Sequence, residues 1–577
     1  MVLHQFDYVF AIGIIFAFLD AWNIGANDVA NSFATSVSSR SLTMMQAMMI
    51  ATVMEFGGAV LVGSRVSDTI RNGIISTSKF TKEPAALMLG MMCALVGSSM
   101  WLTFATKMGM PVSTTHSIVG AIIGVGIATL GKDGVQWAYN DGKGVAGIVS
   151  AWFIAPAIAG GFAIIVFLIT KYGVLERKRP LRAGFMMVPF YFAVTAGILT
   201  MVIVFKGAPS LDLDELSTGQ VLGAIFGVAG GVVLLYGIFF LPFLYRKLEL
   251  EDWQLKTWEI IYGPLLWRRG PVPPRPEGTA VVQDYYRGHK TKADLTTTRG
   301  AADDIEHAAA PQIDAQSSED GIKRGSSEAS PAEKNGEQTL EAHEQEALGP
   351  WYTPRNLFVK AKYYFFRGVD RDVVSEQNAT DSANFLAGDL DKMHAEVKHY
   401  DNKTEHLYSF LQVLTAATAS FAHGSNDVSN AIGPLTTIYL VWDTNTIAKK
   451  AGVPIWILVF GGAAISIGLW TYGYNMMRQL GNRLTLHSPS RGFSMELGAA
   501  ITVILASQLG LPISTTQCIT GATVGVGFCS GTWKAVNWRM IAWIYLGWFI
   551  TMPVAGIISG CLMGIIINAP RWSGVAA

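Results

Sequence analysis

The sequence predicts an all-α polytopic membrane protein: about twelve transmembrane helices in two inverted-topology repeats with broken or re-entrant helices, plus a long cytoplasmic loop. Three observations carry that expectation. Charge is scarce and uneven: 15% of the 577 residues are Asp, Glu, Lys or Arg, against about 25% in soluble domains. Residues 246–406 hold 49 of those 86 side chains and the other 416 residues share 37, so the flanks must face lipid or each other. Long apolar stretches fill both flanks, and the same motif blocks recur in each. The division is 1–245, first membrane repeat and connecting helices; 246–406, a cytoplasmic, largely disordered insert; and 407–577, second membrane repeat.

Mostly apolar stretches of about 17–25 residues can cross a hydrocarbon core as helices. The candidates are 7–24, 45–66, 85–105, 112–130, 146–170, 186–205 and 221–244, then 408–423, 454–475, 494–510, 513–530 and 539–567. The segments meeting at Met110-Pro111 and at Leu511-Pro512 have almost no polar connection, so each pair reads as a broken helix or re-entrant hairpin. The chain's start lacks a basic n-region and reads as a first helix, not a cleavable signal. Lys and Arg orient the set. The loop Lys171–Arg182 is basic and should be cytoplasmic; Lys206–Gln220 is acidic and should be outside. Tyr245-Arg246-Lys247 opens the cytoplasmic insert, and Arg478, Arg483, Arg491, Lys534 and Arg539 mark further inner loops. Both termini come out extracellular, and seven spans before the insert start the second half from the opposite side.

From about 270 to 350 the insert is rich in Pro, Gly, Ala, Ser, Glu and Asp, too polar to offset ordering entropy, and reads as disordered. Residues 351–373 mix aromatics with Arg and Lys and suit an interfacial helix. The sequons at Asn378 and Asn402 fall in the cytoplasmic insert and should stay unmodified. With 21 basic and 28 acidic residues, the insert is no polybasic clamp and nucleic acid is excluded. Cys93, Cys518, Cys529 and Cys561 show no metal or disulfide spacing and read as small buried hydrophobes.

The repeat is visible in four blocks. GANDVANS at 25–32 matches GSNDVSNA at 424–431, and GMPVSTTHSIVGAIIGVGI at 109–127 matches GLPISTTQCITGATVGVGF at 510–528. Phe56-Gly57-Gly58-Ala59 matches Phe460-Gly461-Gly462-Ala463, and Trp152-Phe153-Ile154 matches Trp548-Phe549-Ile550. Collinear blocks at nearly constant offset mark a duplication. Two halves entering the membrane from opposite sides, with interrupted helices in corresponding places, is the architecture of many secondary transporters.

Within the first block, Asn27, Asp28 and Asn31, and again Asn426, Asp427 and Asn430, supply hard oxygen ligands where a bare carboxylate is costly. They suit a dehydrated alkali cation, with Gly25 and Gly424 letting backbone oxygens approach. Paired helix caps are the bland alternative. In the second block, Pro then Ser113-Thr114-Thr115, and Pro then Ser514-Thr515-Thr516, read as starts of half-helices. Free N–H groups, the dipole's positive end and three hydroxyls make an anion site of neutral donors. Glu55 and Glu496 are acidic residues inside apolar segments, and the alignment sets Glu55 against Val459 and Glu496 against Leu95. A cation ligand or proton relay competes there with a structural hydrogen bond. His116, its counterpart Gln517, and His423 are further candidates. No GxxxxGK[ST] motif is present, so no ATP-driven pump is visible.

Through GANDVANS, PVSTTHS, GSNDVSNA and PISTTQ the chain resembles the inorganic phosphate transporter (PiT) family. In its long insert and layout it is similar to that family's fungal sodium–phosphate symporters. The resemblance covers about 25–245 and 405–570. It implies no enzyme and no cofactor, but electrogenic import of inorganic phosphate with sodium ions as co-substrate, by alternating access at the plasma membrane. It implies sodium sites at Asp28 and Asp427, phosphate contacts at the two Ser-Thr-Thr segments, required acids at Glu55 and Glu496, and a family position at His423. Gln517 departs from the His found there in many members. A proton-coupled or sulfate-carrying version of the same fold, a non-transporting phosphate sensor and an anion channel stay open. Partners on this reading are phosphate, sodium and the bilayer, with a homodimer and insert-binding regulators as open additions.

Overall fold

The computed structural model of the chain describes residues 3–138, 144–204, 216–295, 353–366, 386, 388–447 and 452–569. The first half comprises α1 (Asp7–Ser38), α2 (Met44–Val62), α3 (Ser64–Asn72), α4 (Pro84–Lys107), α5 (Thr114–Leu130) and α6 (Val145–Thr170). α7 (Pro180–Val204), α8 (Thr218–Leu235) and α9 (Leu241–Leu248) lead to the insert, where α10 (Pro354–Phe366) and α11 (Leu390–Ala395) lie. The second half is α12 (Asn402–Thr444), α13 (Ile455–Leu480), α14 (Pro489–Gln508), α15 (Thr515–Phe528) and α16 (Trp538–Asn568). Among the described residues there is no strand beyond one antiparallel bridge, Ile75 to Val135. The acidic loop over 206–215, the sequon at Asn378, the insert's centre and the ends of the expected interfacial helix lie outside the described residues.

Each expected span falls on helix. Eight described helices are long and apolar enough to cross a membrane: α1, α2, α4, α6, α7, α8 running on into α9, α13 and α16. α5 has 17 residues and α15 has 14, about 26 and 21 Å at ~1.5 Å per residue, short of a core about 30 Å thick. α12 and α14 are long but carry buried Glu405, Gln412, His423, Asp427, Arg491 and Glu496. Such helices persist at membrane depth only where other helices cover them.

The two halves pack reciprocally. α1 lies on α13 as its counterpart α12 lies on α2; α5 meets α16 as α15 meets α6; α4 meets α16 as α14 meets α6. α1 and α12 run antiparallel: Trp442 Nε1 donates to Asp7 Oδ1 at one end (2.8 Å) and Ser39 Oγ donates to Gln412 Oε1 at the other (2.7 Å). Both motif helices are longer than expected and continuous through their repeats, which removes the capping alternative for Asp28 and Asp427. Gly25 and Gly424 serve these crossings. A Cβ at Gly25 would sit 1.9 Å from the Ile465 carbonyl oxygen, and one at Gly424 2.3 Å from that of Glu55.

The interruptions fall at the expected dipeptides. After α4, Gly109 adopts φ 67°, with Gly109 N bonded to Thr106 O and Met110 N to Ala105 O. After α14, Gly510 adopts φ 66°, with Gly510 N on Ser507 O and Leu511 N on Ala506 O. This is a Schellman stop, left-handed at glycine. Proline then prevents the helix from resuming, and Ser113 or Ser514 caps the next one through the N–H of His116 or Gln517. Each pair is a helical hairpin whose turn lies inside the protein.

At one end the basic loops and the insert gather. Lys171 Nζ donates to Cys529 O, Arg491 Nη2 to Lys398 O and Asn537 Nδ2 to Leu386 O. The insert departs from the disordered reading before residue 295. Tyr285 and Tyr286 are buried with Val397, Leu486 and Ala535, and Tyr286 OH donates to Glu405 Oε1 at 2.7 Å. The Asn402 amide accepts from Tyr285 N and donates to Asp284, so it is engaged within the fold. The helix expected in 351–373 is present as α10.

Candidate ion-binding site

Where α1 crosses α12, the turns of both hairpins meet the two motifs. Asp28 and Asp427 are each 1% exposed. Thr114 Oγ1 donates to Asp28 at 2.9 Å and Thr515 Oγ1 to Asp427 at 2.8 Å, each within its own half. The second threonines cross over: Thr115 donates to Asp427 at 3.4 Å and Thr516 to Asp28 at 3.3 Å. The asparagines cross as well. Asn31 Nδ2 donates to Thr515 and Thr516, and Asn430 Nδ2 to Thr114 and Thr115. Thr115 Oγ1 also reaches Ile513 O at 3.2 Å, so the two helix N-termini converge. The sequence-predicted triplets of both halves form one interlocked lattice with two-fold exchange.

His423, on α12 one turn before Asp427, sits in the middle. Its Nε2 is 3.0 Å from Asp427 Oδ2 and 4.0 Å from Asp28 Oδ2, and its Nδ1 is 2.6 Å from Glu55 Oε2. Ser420 Oγ donates to the other Glu55 oxygen. Ligand atoms of Asp28, His423 and Asp427 lie within 4.8 Å of one another. Among the described residues, the buried amide oxygens of Asn31, Asn426 and Asn430 find no hydrogen-bond partner. Carboxylate and amide oxygens are hard donors of the kind suited to a monovalent cation. Each capping serine accepts from a backbone N–H, which leaves its hydroxyl proton available to an anion.

Three predicted residues are placed differently. Glu496 is outside the centre, ringed by donors from Thr35 (2.5 Å), Ser36 (2.6 Å), Gln412 (2.9 Å) and Thr415 (2.7 Å). His116 stacks on Trp152 with ring centroids 3.6 Å apart. Asn27 fastens the first hairpin turn, through Thr106, Met110 O and Val112 N, whereas both amide atoms of Asn426 are unpartnered. A buried carboxylate close to the first motif was missed altogether: Asp20, 0% exposed on α1. Its signal was an acid inside the apolar run 7–24.

Comparison with known proteins gives the family. The sequence profile of the phosphate transporter family matches residues 24–559. The chain is 54% identical to the phosphate-repressible phosphate permease pho-4 of Neurospora crassa, over 99% of each chain. It is 30% identical to sodium-dependent phosphate transporter 1 of Rattus norvegicus, over 97% of this chain and 95% of that one. A solved structure described as the sodium-dependent phosphate transporter superposes with TM-score 0.59 at 26% identity, covering 98% of this chain and all of that one. The chain belongs to the phosphate transporter family; it is a multi-pass membrane protein and not an enzyme.

Proposed function

We propose that this member of the phosphate transporter family imports inorganic phosphate together with sodium ions by alternating access. The observation that carries the reading is the exchange lattice: hydroxyls that suit an oxyanion are engaged by the carboxylates that suit a cation. Sodium bound by Asp28 and Asp427 neutralises both carboxylates and releases the hydroxyl protons of Thr114, Thr115, Thr515 and Thr516. Those hydroxyls, with Ser113 and Ser514 and the N–H groups starting α5 and α15, then donate to phosphate. Cation binding thereby favours the anion-loaded protein, which is the coupling a symporter needs. The relatives, a phosphate permease and sodium-dependent phosphate transporters, support substrate and ion alike.

The antiparallel α1 and α12 and the reciprocal packing support two repeats of inverted topology that rock about the crossing. The gathered basic loops support a cytoplasmic insert, extracellular termini and a plasma-membrane location. Glu55 acts through His423, setting its orientation between the aspartates. Glu496, whose buried charge is compensated by four donors from α1 and α12, ties the inner end of α1 to α12 and α14. In proteoliposomes with sodium and proton gradients imposed separately, radiolabelled phosphate should accumulate under the sodium gradient. Equal uptake without sodium refutes the coupling.

A further inference from the structure

Between α1 and α4 lies a polar seam that the symmetry of the fold does not require. Asp20 and Asn23 are both 0% exposed. Ser99 Oγ lies 3.4 Å from Asp20 Oδ1 and donates to Phe16 O at 2.9 Å. Asn23 Nδ2 donates to Thr103 Oγ1 and to Leu19 O, both at 2.9 Å. Ser98 Oγ is bonded to Ser117 Oγ at 2.9 Å. Two oxygens in the seam, Asp20 Oδ2 and Asn23 Oδ1, are buried with no hydrogen-bond partner among the described residues.

At the offsets of the flanking motif blocks, the second half places Ala419 and Ala422 opposite Asp20 and Asn23. It places Ala499, Ala500, Ile504 and Cys518 opposite Ser98, Ser99, Thr103 and Ser117. That counterpart seam, between α12 and α14, is buried and packs without a polar atom from any of these side chains except the cysteine thiol. The fold therefore does not need the polar set, and an ionised carboxylate left without a compensating charge at this depth is strongly unfavourable. A cation or a proton must therefore complete it.

We propose that Asp20, Asn23 and the Ser98/Ser99 hydroxyls form a further sodium site, distinct from the one at Asp28 and Asp427. One carboxylate, one amide oxygen and two hydroxyls suit a monovalent cation; a divalent ion generally gathers more carboxylates. Asp20 precedes Asp28 by eight residues on one uninterrupted helix, about 12 Å toward the N-terminal end. The inference rests on the sodium-symport reading and adds an outer station to it.

The test is equilibrium binding of radioactive sodium to the purified full-length protein, with Asp20→Asn beside a rebuilt seam, Asp20→Ala/Asn23→Ala/Ser98→Ala/Ser99→Ala. The rebuilt seam copies the alanines of the second half, so it keeps the protein foldable even where the single variant fails. Both should bind one sodium ion fewer than wild type. An unchanged count overturns the site, and an unchanged count with a shifted pH profile of uptake assigns Asp20 a proton instead. Wild-type protein that binds no sodium refutes the transport reading itself, a failure separable from the loss of this site.

Discussion

Asp28 and Asp427 each receive one threonine hydroxyl from their own half and one from the other, so neither half completes a site alone. Asp28→Asn or Asp427→Asn removes the charge while keeping the shape. Each should abolish sodium-stimulated phosphate uptake with surface expression retained, and wild-type sodium dependence in both would refute the assignment. Thr115→Ala with Thr516→Ala removes the two crossing hydroxyls. A hydrogen bond to a charged group contributes about 1.5–3 kcal/mol, so each lost hydroxyl should raise the phosphate half-saturation concentration roughly 10- to 100-fold. Ser113→Ala with Ser514→Ala should raise it as well, and should also lower the Tm, because each serine caps its helix by about 1 kcal/mol. An unaltered Tm would contradict the capping geometry. At this scale the sequence showed which residues were doubled but not how they exchange. The cross-bonding of Asn31 to Thr515 and Thr516 depends on a helix crossing between residues 484 and 485 positions apart. Asp20 was overlooked for a related reason: without a counterpart in the second half, it carries no repeat signal.

The hairpins were the most legible elements, since Gly-x-Pro-x-Ser-Thr-Thr spells a left-handed stop, a break and a cap in order. Gly109→Ala or Gly510→Ala forces a Cβ into positive φ, at about 1–2 kcal/mol, and should lower the Tm of the purified protein; equal Tm values would show the turns adopt another conformation. The continuity of α1 and α12 was not legible, because Gly, Asn and Asp in a row resemble a helix end. Close backbone packing at Gly25 and Gly424 overrides that local preference. The insert was misjudged over its start because Tyr285 and Tyr286 find their buried surroundings far away in sequence. α11 belongs to that docked region. His289 Nδ1 and His394 Nδ1 are 3.1 Å apart, and His394 Nε2 contacts Asn482 O at 2.8 Å. Burial first, then neighbouring positive groups, push His289 down to about 2 and His487 to about 3; burial likewise brings His394 to about 4. Released histidines titrate near 6.5, so the undocked form binds more protons below that pH. Docking is fully stable above about 6.5 and weakens as pH falls toward 4. Hydrogen exchange over Leu390–Ala395 and residues 281–289 should quicken at pH 5 relative to pH 7.5; equal protection would show that these histidines do not govern docking.

For the whole molecule, the duplicated blocks indicated two halves, and reciprocal packing turns that into a shared site at their crossing. Fold class was readable from composition and repeat, while which helices bury charged side chains was not. Helices such as α12 and α14 hide polar side chains among neighbours, and hydropathy along one chain cannot register neighbours supplied by the other half. The same symmetry makes its exceptions informative: the polar seam at Asp20, the free amide of Asn426 against the tethered Asn27, and Glu496 at one end only. Sodium and phosphate sharing one lattice is the central claim. Its most direct measurement is the transient current evoked by a phosphate jump on protein-loaded supported membranes. Positive charge should move on phosphate addition only with sodium present, and neither Asp28→Asn nor Asp427→Asn protein should give a current. An equal current in sodium-free buffer, or an undiminished one from both variants, would contradict the claim.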